Sequence, residues 1–332
     1  MKRSRFQTGM TLIELMVALA IGMFLMIGAM TVFMQGRSTF RLTEAVSRLQ
    51  ENGRFALDTL EQDVRMAQYW GLTNRPERIR GRTGEAPITT TGALSACGAN
   101  WVIDLDNPIA ATNNGYTWGC AGNNVDITVG ANPGSDSFVV RRVAENALTA
   151  AQVNAISAAS PGTLFVRSSR GGVLDGEIFS GAAPGSFDPV TEEMHQLVVN
   201  GYYVSTRSET SFQVGALIPS LRMQTLAAGG TIQDREVIPG VEDMQLQFGI
   251  DTDAPGAVNR GSIDRYVNPG DALLATSVIL AVRVWLRIRA ERIENGLRDT
   301  TTYNYANENA TYNDNFRRIV VSKTIYLRNS RQ

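Results

Sequence analysis

The chain has 332 residues, 43% of them apolar and 19% charged, which is enough apolar material for a packed core and too much for a disordered chain. Lys and Arg number 31 against 32 acids, a net charge of −1 that argues against a generic nucleic-acid coat or a polybasic membrane binder. One histidine, His195, and two cysteines exclude a Cys/His zinc cage and a pair of metal-binding histidines.

Residues 1–9, MKRSRFQTG, carry Lys2, Arg3 and Arg5 and no acid, and residues 10–34 then hold a single charge, Glu14. As a helix the second stretch is about 37 Å long, enough to cross a bilayer core of about 30 Å with some tilt. The basic cluster before it favours a cytoplasmic N-terminus, which places everything after Met34 outside. A secretory signal needs a shorter apolar core, and the only A-x-A pattern here, Ala18-Leu19-Ala20, sits in mid-segment. A plain uncleaved anchor accounts for the length but not for Glu14. An acid in hydrocarbon costs about 2.5–3.5 kcal/mol even on lenient insertion scales, so it calls for a partner or a function.

The arrangement of basic leader, Gly9, Met10, Glu14 and long apolar helix resembles the class III signal of type IV prepilins and pseudopilins. That resemblance implies cleavage between Gly9 and Met10 by the prepilin peptidase and N-methylation of Met10. It also implies that Glu14 docks the chain by pairing with a neighbouring subunit's new amine. Phenylalanine is commoner than Met10 at the first mature position. Two charges paired in a dry bundle set register more surely than they add stability.

From Gln35 to about Tyr69 the pattern becomes one-sided. Leu42, Val46, Leu49, Ala56, Leu60, Val64 and Ala67 form an apolar stripe, and acids and arginines, Asp58, Glu61 and Asp63 among them, form the wet face. No proline interrupts Met10–Tyr69, so one helix of roughly 60 residues is expected, with Gly36 and Gly53 as flexible points. Its upper half is expected to lay its stripe on a globular head.

After Gly71 the composition turns to Gly, Asn, Thr, Ser and Pro. An oxidising compartment follows from the topology, so Cys97 and Cys120 are expected to pair as a disulfide, with two free thiols as the alternative. Alternating runs predict strands around 244–250, 282–288 and 319–328, with weaker ones at 138–143, 164–167 and 197–204, where Asn200-Gly201 could form a hairpin turn. Helix first and strands after give an α+β class: a long N-terminal transmembrane-plus-amphipathic helix packed on an antiparallel β-sheet head. The expected divisions are a cleaved leader (1–9), a transmembrane half-helix (10–34), an amphipathic half-helix (35–70) and a β-rich periplasmic head (71–332).

The runs VIPGVEDMQLQFGID (237–251), AVRVWLRIRAE (281–291) and SKTIYLRN (322–329) resemble the PilW-type minor pilins. The resemblance implies a structural, assembly-priming subunit in the tip complex of a type IV pilus. The implied partners are the prepilin peptidase, other minor pilins, the major pilin, a large tip adhesin and the inner membrane. A J-type pseudopilin of type II secretion shares the N-terminus, and a membrane-tethered periplasmic binding module is the reading from another class.

Chemistry is sparse. No phosphate-binding loop and no G-x-S-x-G elbow occurs, and His195 stands alone in EEMHQLVV as a strand-end polar residue, so neither an enzyme nor a small-molecule substrate is expected. The pairs Glu192-Glu193 and Glu242-Asp243 read as solvated faces or caps. Asp251 and Asp253 open a stretch like an acidic calcium loop, but Pro255 replaces the third acid and Ser262 stands where the bidentate Glu belongs. A turn explains these acids without metal, so no cofactor is expected and calcium at Asp251 and Asp253 is the lesser reading. The arginines of 283–289 alternate with aliphatics as any exposed strand face would, and loss of the basic leader makes the chain more acidic, which disfavours nucleic acid.

Overall fold

The computed structural model describes residues 9–88, 97–98, 100–118, 120, 134–156, 162–170, 174–181, 187–208 and 217–330, so residues 1–8 of the expected leader lie outside the described residues. The chain falls into two units, residues 1–48 and 49–332. Helix α1, Leu12–Met66, is continuous over 55 residues, about 82 Å at 1.5 Å per residue. It is slightly shorter than the expected 10–69 because Thr11 caps its start and Gln68, at φ 65°, turns the chain out of the helix at its end.

In the first unit, the α1 residues from Leu12 to Arg41 are all exposed in the single chain. Their apolar side chains face every direction, including Leu12 at 78% and Phe24 at 76% exposure. A helix apolar all round satisfies its own backbone and leaves its side chains to lipid or protein. Among the described residues, α1 is the one helix long and apolar enough to cross a membrane.

In the second unit, Leu49, Gly53, Ala56, Leu57, Leu60, Asp63 and Val64 form the buried stripe of α1. The stripe packs against two sheets, which share one core with it. The first holds eight strands: β1 (Ile79–Arg80), β2 (Ile109–Thr112), β3 (Ser137–Val143), β4 (Leu164–Ser169), β5 (Gly176–Ser180), β6 (Glu192–Ser205), β7 (Ser220–Ala227) and β8 (Thr231–Pro239). The second is antiparallel, in the order β10 (Arg265–Val267), β9 (Val241–Asp251), β11 (Val278–Arg289), β14 (Arg318–Tyr326). A ribbon of β12 (Thr302–Tyr305) and β13 (Glu308–Thr311) is separate. A short helix α2, Ala150–Ala155, opens with a capping box from Thr149 to Gln152.

This corrects the expected single antiparallel sheet: there are two main sheets, and β1 pairs with β5 in parallel. The central strand β6 sets the layering by alternation. Its even-numbered residues Asn200, Tyr202 and Val204 face α1, whereas Leu197, Val199 and Gly201 face a second core. The first core joins α1 to Phe138, Tyr202, Phe248, Val282, Leu286 and Ile325. The second gathers Trp70, Ile103, Trp101, Val139, Val199 and the two cysteines.

Asn200-Gly201 is therefore no turn. Both residues sit in mid-strand, paired with β3 and β7. A Cβ at Gly201 would lie 2.6 Å from the Trp118 ring and 3.0 Å from the Trp101 ring, so the glycine makes room for two indoles. Gly53 likewise is a point of close packing, with Ile288 and Val321 within 3.2 Å of where its Cβ would stand, and not the flexible point expected. The β7–β8 hairpin went unpredicted, although Gly229-Gly230 between two alternating runs is its signal.

Candidate functional site

The residues marked out by the sequence gather at the start of α1. Met10 is 68% exposed, and nothing lies within 4 Å of a Cβ built on Gly9. Both precede the helix, which begins at Leu12. Thr11 and Glu14 form a reciprocal cap: the Thr11 amide and hydroxyl donate to Oε2 of Glu14 at 2.9 and 2.8 Å, and the Glu14 amide donates to the Thr11 hydroxyl at 3.4 Å. The carboxylate thus has hydrogen-bond donors within its own chain, a source of compensation that the apolar run around it gave no reason to expect.

The amphipathic half of α1 is held to the head by polar contacts as well as by its apolar stripe. Asp63, placed on the wet face by its neighbours in sequence, is 5% exposed. Its Oδ1 accepts from Nε and Nη2 of Arg142 at 3.0 and 2.7 Å, and its Oδ2 accepts from Asn200 and from the Tyr202 hydroxyl. Burial pushes the Tyr202 phenol well above its ordinary value, and the negative charge of Asp63 adds to the effect. On the other side of the helix, Nζ of Lys323 reaches Asp58 at 2.9 Å and Glu61 at 2.6 Å. Those two bonds raise the lysine above its usual range, Glu61 first and Asp58 second.

Glu242 and Asp243 are not a solvated face. Asp243 is 1% exposed and accepts from Ser135 at 2.5 Å and Tyr305 at 2.6 Å. Glu242 accepts from Arg318 at 2.7 Å and Arg287 at 3.2 Å. Arg318 continues to Asp314 at 2.7 Å and Asp299 at 3.1 Å, and its guanidinium stacks 3.7 Å from the Tyr312 ring. Arg287 of β11 and Arg318 of β14 are buried, so this part of the arginine cluster is an internal network that ties residues 290–318 to the second sheet. Nearby, burial lifts the Asp136 carboxyl to about 6 against two amide hydrogen bonds, from Asn114 and Leu246, that pull it down.

His195 is fully buried within β6, its Nδ1 2.8 Å from the Ala144 carbonyl oxygen and its Nε2 3.2 Å from the Glu193 carboxylate, and is not at a strand end. Of its two neighbours, Glu192 reaches Arg167 at 3.9 Å. Asp251, Asp253 and Asp264 bring one oxygen each within 4.8 Å of one another. Asp251 already accepts from the Asp253 and Gly261 amides at 2.9 and 2.6 Å, and Asp264 from the Thr252 amide and hydroxyl at 2.7 Å each. Asp251 and Asp264 cap turns, whereas the buried Oδ2 of Asp253 has no hydrogen-bond partner among the described residues. Cys97 and Cys120 are bonded as a disulfide, which closes the segment carrying Trp101 and Trp118.

Comparison with known families matches residues 4–30 to the prokaryotic N-terminal methylation motif and residues 201–329 to the type IV pilus-assembly protein W family. The chain is a type IV pilin-like protein with a PilW-type domain. No curated protein and no solved structure matches it. The methylation match spans Gly9, Met10 and Glu14, and the PilW match runs from mid-β6 through β14. As a minor pilin of a structural family, it belongs with the type IV pilus assembly machinery. Its single apolar N-terminal helix is of a length and character suited to membrane anchoring.

Proposed function

We propose that this minor pilin is cut between Gly9 and Met10 by the prepilin peptidase, is N-methylated at Met10, and enters a type IV pilus as an assembly-priming subunit of the tip complex. Before assembly, residues 10–34 hold it in the inner membrane with its N-terminus cytoplasmic and residues 71–332 in the periplasm; afterwards the same residues pack in the fibre core. Glu14 pairs with the amine of a neighbouring Met10 on docking, in exchange for its bonds to Thr11. The partners are other minor pilins, the major pilin and a large tip adhesin.

One observation carries this reading: a methylation motif at residues 4–30 and a PilW match at 201–329 occur on the same chain. Mass spectrometry of the protein from cells with and without the peptidase tests it. The expected species begins at N-methylated Met10 and disappears when the peptidase is absent. Retention of residues 1–9 in peptidase-positive cells would overturn it.

A further inference from the structure

One guanidinium on the outer face of the second sheet is treated unlike its neighbours. Arg287, Arg289 and Arg318 all reach Glu242, at 3.2, 3.7 and 2.7 Å. Arg283 has no acid partner among the described residues; its one hydrogen bond runs from Nε to the Thr324 hydroxyl at 3.1 Å. It is nevertheless held in place, stacked 3.7 Å from the Tyr266 ring centroid and 5.7 Å from that of Trp285. Cross-strand register puts Gln247, Arg283 and Thr324 in one row, and Tyr326 in the adjoining row opposite Ala281. The opposite face of these strands is the buried one against α1, so this face looks away from the core. Tyr326 is 63% exposed, and Arg283 and Trp285 are half-buried.

A stacked arginine whose Nε is anchored leaves its two terminal nitrogens as a fork already oriented for a carboxylate, with little side-chain freedom left to lose on binding. Tyrosine, tryptophan and arginine are also the residues that dominate protein interfaces. We propose that Tyr266, Arg283, Trp285 and Tyr326 form a docking surface for a protein partner that presents an aspartate or glutamate to Arg283. The charge left unanswered among the described residues selects an acidic contact, and the flanking rings favour apolar neighbours around it. The surface goes beyond the processing and membrane steps above and rests on the pilus reading only in placing the partner among co-assembled subunits.

The test places p-benzoylphenylalanine at Tyr326 of the full chain in cells and identifies the cross-linked peptide by mass spectrometry, in membranes and in sheared fibres. A peptide of another pilus subunit containing an Asp or Glu is expected. Arg283→Glu should lower its yield at least about tenfold, and Arg283→Lys several-fold, because lysine lacks the fork. Replacing the partner's acid by arginine should restore the yield in the Arg283→Glu background. Protease resistance of the head is followed in each variant. Should Arg283→Glu not fold, Thr324→Val removes only the Nε acceptor and is expected to lower the yield a few-fold. An unchanged yield in the folded variants, an adduct without an acid, an adduct to an acidic glycan, or no adduct overturns the proposal. Absence of the chain from fibres counts against the pilus reading instead, and the membrane fraction still decides the Arg283 surface.

Discussion

Asp63 shows how much one side chain can depend on its surroundings. In the sequence it sits between Glu61 and Arg65 and continues a charged face; in the fold it is buried and receives bonds from Arg142, Asn200 and Tyr202. Removing one partner of such a group leaves the others uncompensated, so Asp63→Ala should cost roughly 3–5 kcal/mol. Denaturant unfolding of the detergent-solubilised chain, followed by tryptophan fluorescence, measures this, with Asp63→Asn expected to cost less. Gly201 is the apolar counterpart. A methyl there would overlap the Trp118 and Trp101 rings, and Gly201→Ala should lose roughly 1–3 kcal/mol by overpacking, read as a lower unfolding midpoint. Neither position is legible from sequence, for the same reason: their neighbours in space are far away in the chain, 79 residues for Asp63 and Arg142 and 137 for Asp63 and Asn200.

The elements differ in how openly they declare themselves. Strands β9, β11 and β14 have clean alternation and match their expected positions, because one face is buried against α1 and a period of two follows. The segment with Cys97 and Cys120 has no such period; it is ordered by its disulfide and by indoles seated on Gly201. Replacing both cysteines by serine should destabilise the chain by about 3 kcal/mol and expose cleavage sites between them in limited proteolysis, while the second sheet stays protected. Residues 290–318 depend on charge. Bonds from Arg317 hold Glu294 below its ordinary 4.5, and bonds from Arg318 hold Asp314 below its ordinary 3.8. Because these folded values lie below the unfolded ones, the stabilisation is fully present above about pH 5 and is lost as pH falls through the lowered values. Asp136 has the opposite sign: raised to about 6, its charged form is penalised above that pH and relieved below it. Hydrogen exchange should therefore show residues 290–318 losing protection below about pH 4, with no loss around Asp136 between pH 6 and 4.

For the whole molecule, anchoring and head stability are expected to be separable. Glu14 lies in the exposed apolar stretch and, among the described residues, its carboxylate bonds to Thr11, so Glu14→Ala should leave the unfolding of the head unchanged. The same variant should be depleted from sheared fibres, measured by immunoblot against the membrane pool; incorporation at the wild-type level would remove Glu14 from the docking role. The sequence by itself determined the membrane-length helix, the processing motif and the α+β class, since each is a local pattern: a run, a spacing, a period. Only the tertiary structure decided that the head has two sheets packed on one face of α1, which charges are internal, and that Arg283 has no acid partner among the described residues. Those outcomes depend on which side chains share a buried volume, and burial changes the cost of a charge or a methyl by several kcal/mol without altering its neighbours in the chain.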